Sequence, residues 1–124
     1  MTLTMRRFAR DAYGGVEVLH AELVPVREPG AGEVLVRVAA ASVNTADVEH
    51  LEGRPWVSRL GLGLRRPRNR VPGFDLAGEV TAVGPGVERL AVGDRVWADV
   101  FEHGAGAFAP FVTARERAFA LLPE

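Results

Sequence analysis

Apolar and polar positions alternate most clearly along Glu33 to Ala41. Val34, Val36 and Val38 fall on one face and Leu35 and Arg37 on the other, a period of two that predicts a strand. Met5 to Ala12 reads as an earlier strand, turned by Tyr13-Gly14-Gly15. Val16 to Val26 alternates with one slip and reads as a strand with an irregularity. Arg27 to Gly32 is a loop by composition. Leu76 to Val83 and Arg95 to Val100 read as two further strands, parted by Gly84-Pro85-Gly86 and Gly93-Asp94. Proline has no N–H for a ladder and glycine takes positive φ cheaply, so these are turns. Ala107 to Thr113 reads as a strand that Pro110 kinks or keeps at an edge. A charged turn, Arg115 to Arg117, leads to a last strand at Ala118 to Leu122.

One short helix interrupts this pattern, from about Thr45 to Leu51, ending at Gly53. Asn44 or Thr45 is its N-cap, and Asp47 suits the positive end of the helix dipole. Arg54 to Arg70 then departs from any period. It holds six arginines, two prolines and two glycines in seventeen residues, with no acid, and predicts a long excursion with one helical turn near Trp56 to Leu60. Many short strands with frequent turn signals predict a mainly β, barrel-like domain with one or two short helices.

Composition narrows the function classes. The chain has 124 residues, read as one domain spanning 1–124, and is 48% apolar with a net charge of −1. No bulk electrostatic argument favours nucleic acid or an anionic membrane, and no run approaches membrane-spanning length. Absence of cysteine excludes disulfides and thiolate metal ligands. No signal-like apolar segment opens the chain, so a cytoplasmic location is expected. All fifteen basic residues are arginine, which suggests a GC-rich bacterial source.

The stretch VPGFDLAGEVTAVGPGVERLAVGDRVW, Val71 to Trp97, resembles the central signature of the medium-chain dehydrogenase/reductase superfamily. EVLVRVAAASVNTAD before it and GAFAPFV after it extend the likeness. The resemblance implies a GroES-like, partly open β-barrel that binds substrate. Zinc-dependent members carry Cys, His and Glu where this chain has Asn44, Phe74 and Asp75, so neither a catalytic nor a structural zinc is expected. His20, His50, His103, Glu102 and Asp75 are scattered without metal-ligand spacing. No glycine turn opens a helix, so the nicotinamide-binding Rossmann domain is expected to be absent from the chain, and NADPH to bind only with such a domain.

The resemblance to zinc-independent quinone and enone reductases implies roles for single residues. Asn44 is a catalytic, substrate-binding and cofactor-binding candidate, donating to a substrate carbonyl or contacting the cofactor ribose; it also serves as an N-cap. Asp47 is assigned to the cofactor side, holding the turn. Trp56 is a substrate-facing aromatic. Phe74 presents an apolar wall at the ligand position, or is a plain core residue. Trp97 is expected in the core, and Tyr13 to be structural. Some relatives place a proton-donating tyrosine where this chain has Arg54-Pro55-Trp56, which leaves the donor unassigned. The implied reaction is hydride transfer to a quinone or an α,β-unsaturated carbonyl, with the isolated chain inactive in redox chemistry. The alternative is a stand-alone, non-redox barrel that binds a small ligand or a protein partner. An apolar cleft left open near Asn44 to Trp56, or an edge strand near Ala107 to Thr113, predicts that the chain forms a homodimer or pairs with a partner.

Overall fold

The computed structural model describes residues 3–123. Strands β1 (Thr4–Ala9) and β2 (His20–Pro25) form a separate antiparallel pair, with Thr4 opposite Pro25 and Ala9 opposite His20. The remaining strands are β3 (Glu33–Ser42), β4 (Asp75–Val83), β5 (Arg95–Asp99), β6 (Phe111–Arg115) and β7 (Phe119–Leu121). They make one five-stranded sheet in the order β6-β3-β4-β5-β7, every pair antiparallel. No strand pair joins the two sheets among the described residues, so the barrel is partly open, as the resemblance implied. Two short helices, α1 (Thr45–Glu52) and α2 (Arg59–Leu62), lie in the connection between β3 and β4.

The core lies on one face of the larger sheet. Val34 and Val36 from β3, Leu76 and Val80 from β4, Val96 and Ala98 from β5, and Phe119 from β7 pack there with Leu90 and Val100. Removing each fully buried valine from water is worth about 1.5–3 kcal/mol. Leu35, placed by alternation on the outer face of β3, is buried as well. It shares a crevice with Leu3 and Val26, so the smaller sheet covers what would otherwise be a solvent face. The register of β3 on β4 shifts at Leu35/Val36 and again at Val38/Ala40. These irregularities re-aim the end of β3, from which α1 departs.

Several expectations change for local reasons. The first strand ends at Ala9 rather than Ala12, because Arg10 turns inward and its N–H donates to the Arg70 carbonyl at 2.8 Å. Val16–Val18 is a 3₁₀ turn, not the start of a long strand. Val18 N–H donates to Gly15 O, Leu19 N–H to Val16 O, and Glu17 accepts from Gly15 N–H, so local turn bonds outcompete the ladder. Strand β6 starts only at Phe111. Pro110 cannot donate, and Ala107 and Phe108 donate instead to Gly73 and Pro72 in the loop before β4. β6 is nevertheless an edge strand. Trp97 is not core: it is 50% exposed while its neighbours Val96 and Ala98 point inward, as a period of two requires.

Candidate functional site

Helix α1 begins where β3 ends, and its first turn organises the site. Asn44 is the N-cap, in extended backbone conformation, and a capping box joins it to Asp47. Asn44 N–H donates to Asp47 Oδ2 at 2.7 Å. The helix closes on Gly53, which takes the left-handed conformation (φ 71°) and donates to the Glu49 and His50 carbonyls.

Strand pairing brings a polar row beside that cap. Ser42 on β3 lies opposite Asp75 on β4, and Asp75 lies opposite Asp99 on β5. The Asn44 side-chain amide donates to Asp75 Oδ2 at 2.6 Å and to Ser42 Oγ at 3.3 Å. Ser42 Oγ also donates to Asp75 Oδ2, at 3.3 Å. The Asn44 amide nitrogen is thus anchored chiefly on Asp75, and its other polar side-chain atom, Oδ1, can only accept.

Asp47 is 5% exposed, and its Oδ1 has no hydrogen-bond partner among the described residues. Burial pushes its carboxyl up from the usual range; the charges of Asp75 and Asp99 add to this, while the bond from Asn44 N–H opposes it. Asp47 therefore does hold the turn, and it also leaves one buried acceptor unsatisfied at the cap.

On the far side of α1 lies an apolar pocket of about 360 Å³. Phe74 is buried, and its ring centre lies 5.1 Å from that of His50 and 5.0 Å from that of Phe101, edge-on to the latter. Ala46, Pro55 and Leu62 complete the apolar lining. Phe74 is both a core residue and a pocket wall, so its two readings from sequence coincide. The neighbouring side chains of Phe74 and Asp75 part, one to this pocket and the other to Asn44.

Three residues at this site escaped sequence reasoning: His50 as a pocket residue, Arg10 and Phe101. His50 is buried, and burial, then the Arg10 charge, holds its imidazole down to about 4. Arg10 is fully buried, without a carboxylate partner among the described residues. It donates to the His50 and Leu51 carbonyls at 2.8 and 3.0 Å, and so caps the negative end of α1 from beneath. The spacing of Asp47 and His50 by three, on one helical face, was a usable signal. Nothing local marks Arg10 or Phe101, whose partners lie tens of residues away.

Trp56 is 73% exposed and lines neither this pocket nor the polar row. Tyr13 is structural, as expected: its hydroxyl donates to the Gly63 carbonyl at 2.7 Å. Among the described residues no three His, Asp or Glu side chains converge to hold a metal ion, and no helix is long and apolar enough to cross a membrane.

Comparison with known proteins places this geometry among relatives. The family model for the alcohol dehydrogenase GroES-like domain matches residues 30–124. The NADPH-dependent alkenal/one oxidoreductase of Arabidopsis thaliana is 33% identical over 97% of this chain, which covers 31% of that protein. The quinone oxidoreductase QR1 of Triphysaria versicolor is 36% identical over 91% of this chain and 33% of its own length. Among solved structures, Escherichia coli quinone oxidoreductase complexed with NADPH superposes with a TM-score of 0.77 at 27% identity, over 98% of this chain and 33% of that one. The chain thus spans about a third of the length of these relatives.

Proposed function

Since the chain belongs to the alcohol dehydrogenase GroES-like domain family, we propose that it forms the substrate-binding part of a zinc-independent, NADPH-dependent oxidoreductase acting on quinones or α,β-unsaturated carbonyls. The observation that carries the reading is a pocket walled by Phe74 and Phe101 against α1, the helix whose N-cap is the uncharged amide of Asn44, bonded to Asp75. Quinones and enones are flat and largely apolar, and edge-to-face aromatic walls suit them. The names of the relatives support the same substrate class.

NADPH, when bound, supplies the hydride. The described residues contain only antiparallel strand pairs and so no βαβ unit to hold a dinucleotide. What this chain contributes to the cofactor is Asn44, with Asp47 behind it. The Asn44 side chain offers Oδ1 to a ribose hydroxyl and its amide N–H to a substrate carbonyl, with Asp75 holding the amide nitrogen. Zinc independence is supported by Phe74, whose buried ring stands at a position where zinc-dependent relatives carry a ligand. Trp56 remains a proposed aromatic contact for substrate, although it does not line the pocket.

The coding sequence tests the reading. Continuation past Glu124 into a glycine-turn βαβ unit, with a product that oxidises NADPH when given a quinone or an enal, supports it. A stop codon at that point, with no NADPH consumption, favours the non-redox barrel that binds a small ligand or partner. In an active product, Asn44→Ala is expected to raise the KM for NADPH where Oδ1 meets the ribose, and that for the quinone where the amide meets the carbonyl.

A further inference from the structure

A second pocket, also about 360 Å³, lies between the smaller sheet and the β6 edge. Asn44, Asp47, Trp56 and Phe74 do not line it. Its charged and titratable lining is Arg7, Arg27, Arg68, Arg70 and His103, and no carboxylate lines it. Three of these arginines are fixed by carboxylates set outside the lining. Arg7 Nε donates to Glu22 at 2.8 Å, Arg27 pairs with Glu33 at 2.7 Å, and Arg70 bridges Asp11 at 2.8 Å and Glu22 at 3.2 Å. Arg7 keeps both terminal nitrogens without a partner among the described residues. Arg68 is exposed and has no ion pair among them, while its backbone N–H is fastened to Leu62 O at 2.9 Å.

The backbone of the same wall is unusual. Gly104, Ala105 and Gly106 have φ of 96°, 57° and 101° in succession. Ala105 is the one non-glycine residue with positive φ among the described residues, and it is buried. Ala105 N–H is spent on Val100 O, but the N–H groups of Gly104 and Gly106 donate to no acceptor among the described residues. Gly104 and Gly106 both line the pocket, exposed and half-buried respectively, so their unpaired amides are open to an acceptor. Strain at a non-glycine residue is retained where surrounding structure over-determines it, commonly at ligand sites.

We propose that this pocket binds a phosphate group, free or carried on a small organic molecule. The open guanidinium donors of Arg7 and Arg68, with the two unpaired amides, match the several acceptor oxygens of phosphate better than the two of a carboxylate. Met5, Val26 and Phe111 supply an apolar wall, and the volume leaves room for an organic body beside the anion. The site stands apart from the Asn44 cleft and does not depend on the redox reading.

Titration of the ¹⁵N-labelled protein at constant ionic strength tests this, with inorganic phosphate in one arm and phenyl phosphate in the other. Saturable shifts of the Gly104 and Gly106 amides are expected. Tighter binding of phenyl phosphate identifies an organic ester as the ligand form, and equal affinity identifies the free ion. Arg68→Ala and Arg68→Gln, judged folded by their spectra, should each weaken binding about fivefold or more, while Arg65→Ala, outside the pocket, should leave it unchanged. Shifts that stay linear for both ligands to about 20 mM, or Arg68 variants that bind like the parent, overturn the proposal.

Discussion

The Arg59 guanidinium lies 3.9 Å from the centre of the Trp56 ring. The same group sits 4.4 Å from the Tyr13 ring and donates to the Gly53 and Glu52 carbonyls at 2.9 and 3.2 Å. One arginine therefore ties the excursion after α1 to the end of that helix and to the first turn of the chain. Trp56 is exposed yet not free, since one ring face is taken by Arg59.

Replacing Arg59 removes two cation–π contacts and two hydrogen bonds to helix-end carbonyls. Arg59→Ala is expected to lower stability by about 1–3 kcal/mol, read from the urea midpoint at unchanged slope. Arg59→Lys should recover only part of this, because an ammonium lacks the planar fork. An Arg59→Ala midpoint equal to the parent's would show that the stack contributes nothing.

Asp75 should add to the effect of burial on the ionisation of Asp47. Its negative charge is one of the causes that raise the Asp47 carboxyl. Asp75→Asn removes that charge, so Asp47 is expected to titrate at lower pH than in the parent. Carboxyl ¹³C shifts followed through acid titration measure this directly. An upward or absent movement would contradict the arrangement at the cap.

Stability should fall with acid in two windows. His50 has a folded pKa of about 4 against an ordinary 6.5, so the unfolded chain binds its proton first. The stability this group contributes is full above about pH 6.5 and is lost as pH falls toward 4, amounting to roughly 3 kcal/mol at most. Glu33 is lowered from 4.5 to about 2, chiefly by its bond from Arg27, and its contribution disappears below that first window. Denaturation midpoints measured from pH 7 to pH 3 should show both. His50→Phe should flatten the upper window alone, and a slope that persists there unaltered would assign it elsewhere.

Two glycines should respond to alanine with opposite sign. A Cβ on Gly78, within β4, would overlap the Arg37 carbonyl oxygen and lie 2.9 Å from Val36 Cγ1. Gly78→Ala is expected to cost about 1–3 kcal/mol by overpacking. Gly61 in α2 has nothing within 4 Å of such an atom and no positive φ, so Gly61→Ala should stabilise by about 0.5–1 kcal/mol. Thermal midpoints of the two variants decide the matter, and a stable Gly78→Ala would refute the tight approach of β3 and β4.

Elemental analysis of the purified protein should find no stoichiometric zinc. Asn44 is a poor ligand for zinc and Phe74 is none. One zinc per chain would overturn the zinc-independent reading.

Periodicity and turn chemistry were enough to locate β3, β4 and β5, the short helix and its caps, because those signals are local: alternation along Val34 to Val38, a donor-less Pro85 between glycines, Asn44 before Thr45, Gly53 after Glu52. The helical turn near Trp56 was legible for the same reason. Local patterns also named Asn44 and Asp47 at the cap, while Phe74 was named by the family resemblance. Tertiary structure alone decided what those residues touch. The pairing of Asn44 with Asp75 depends on the register of β3 on β4, which the two register shifts reset. The exposure of Trp97 depends on which face of β5 meets the core, and the burial of Leu35 depends on a second sheet covering the first. Arg10 shows the limit most plainly. An arginine ten residues into the chain reads as a surface charge, and only the arrival of α1 over it, some forty residues later, supplies the carbonyls that let it be buried.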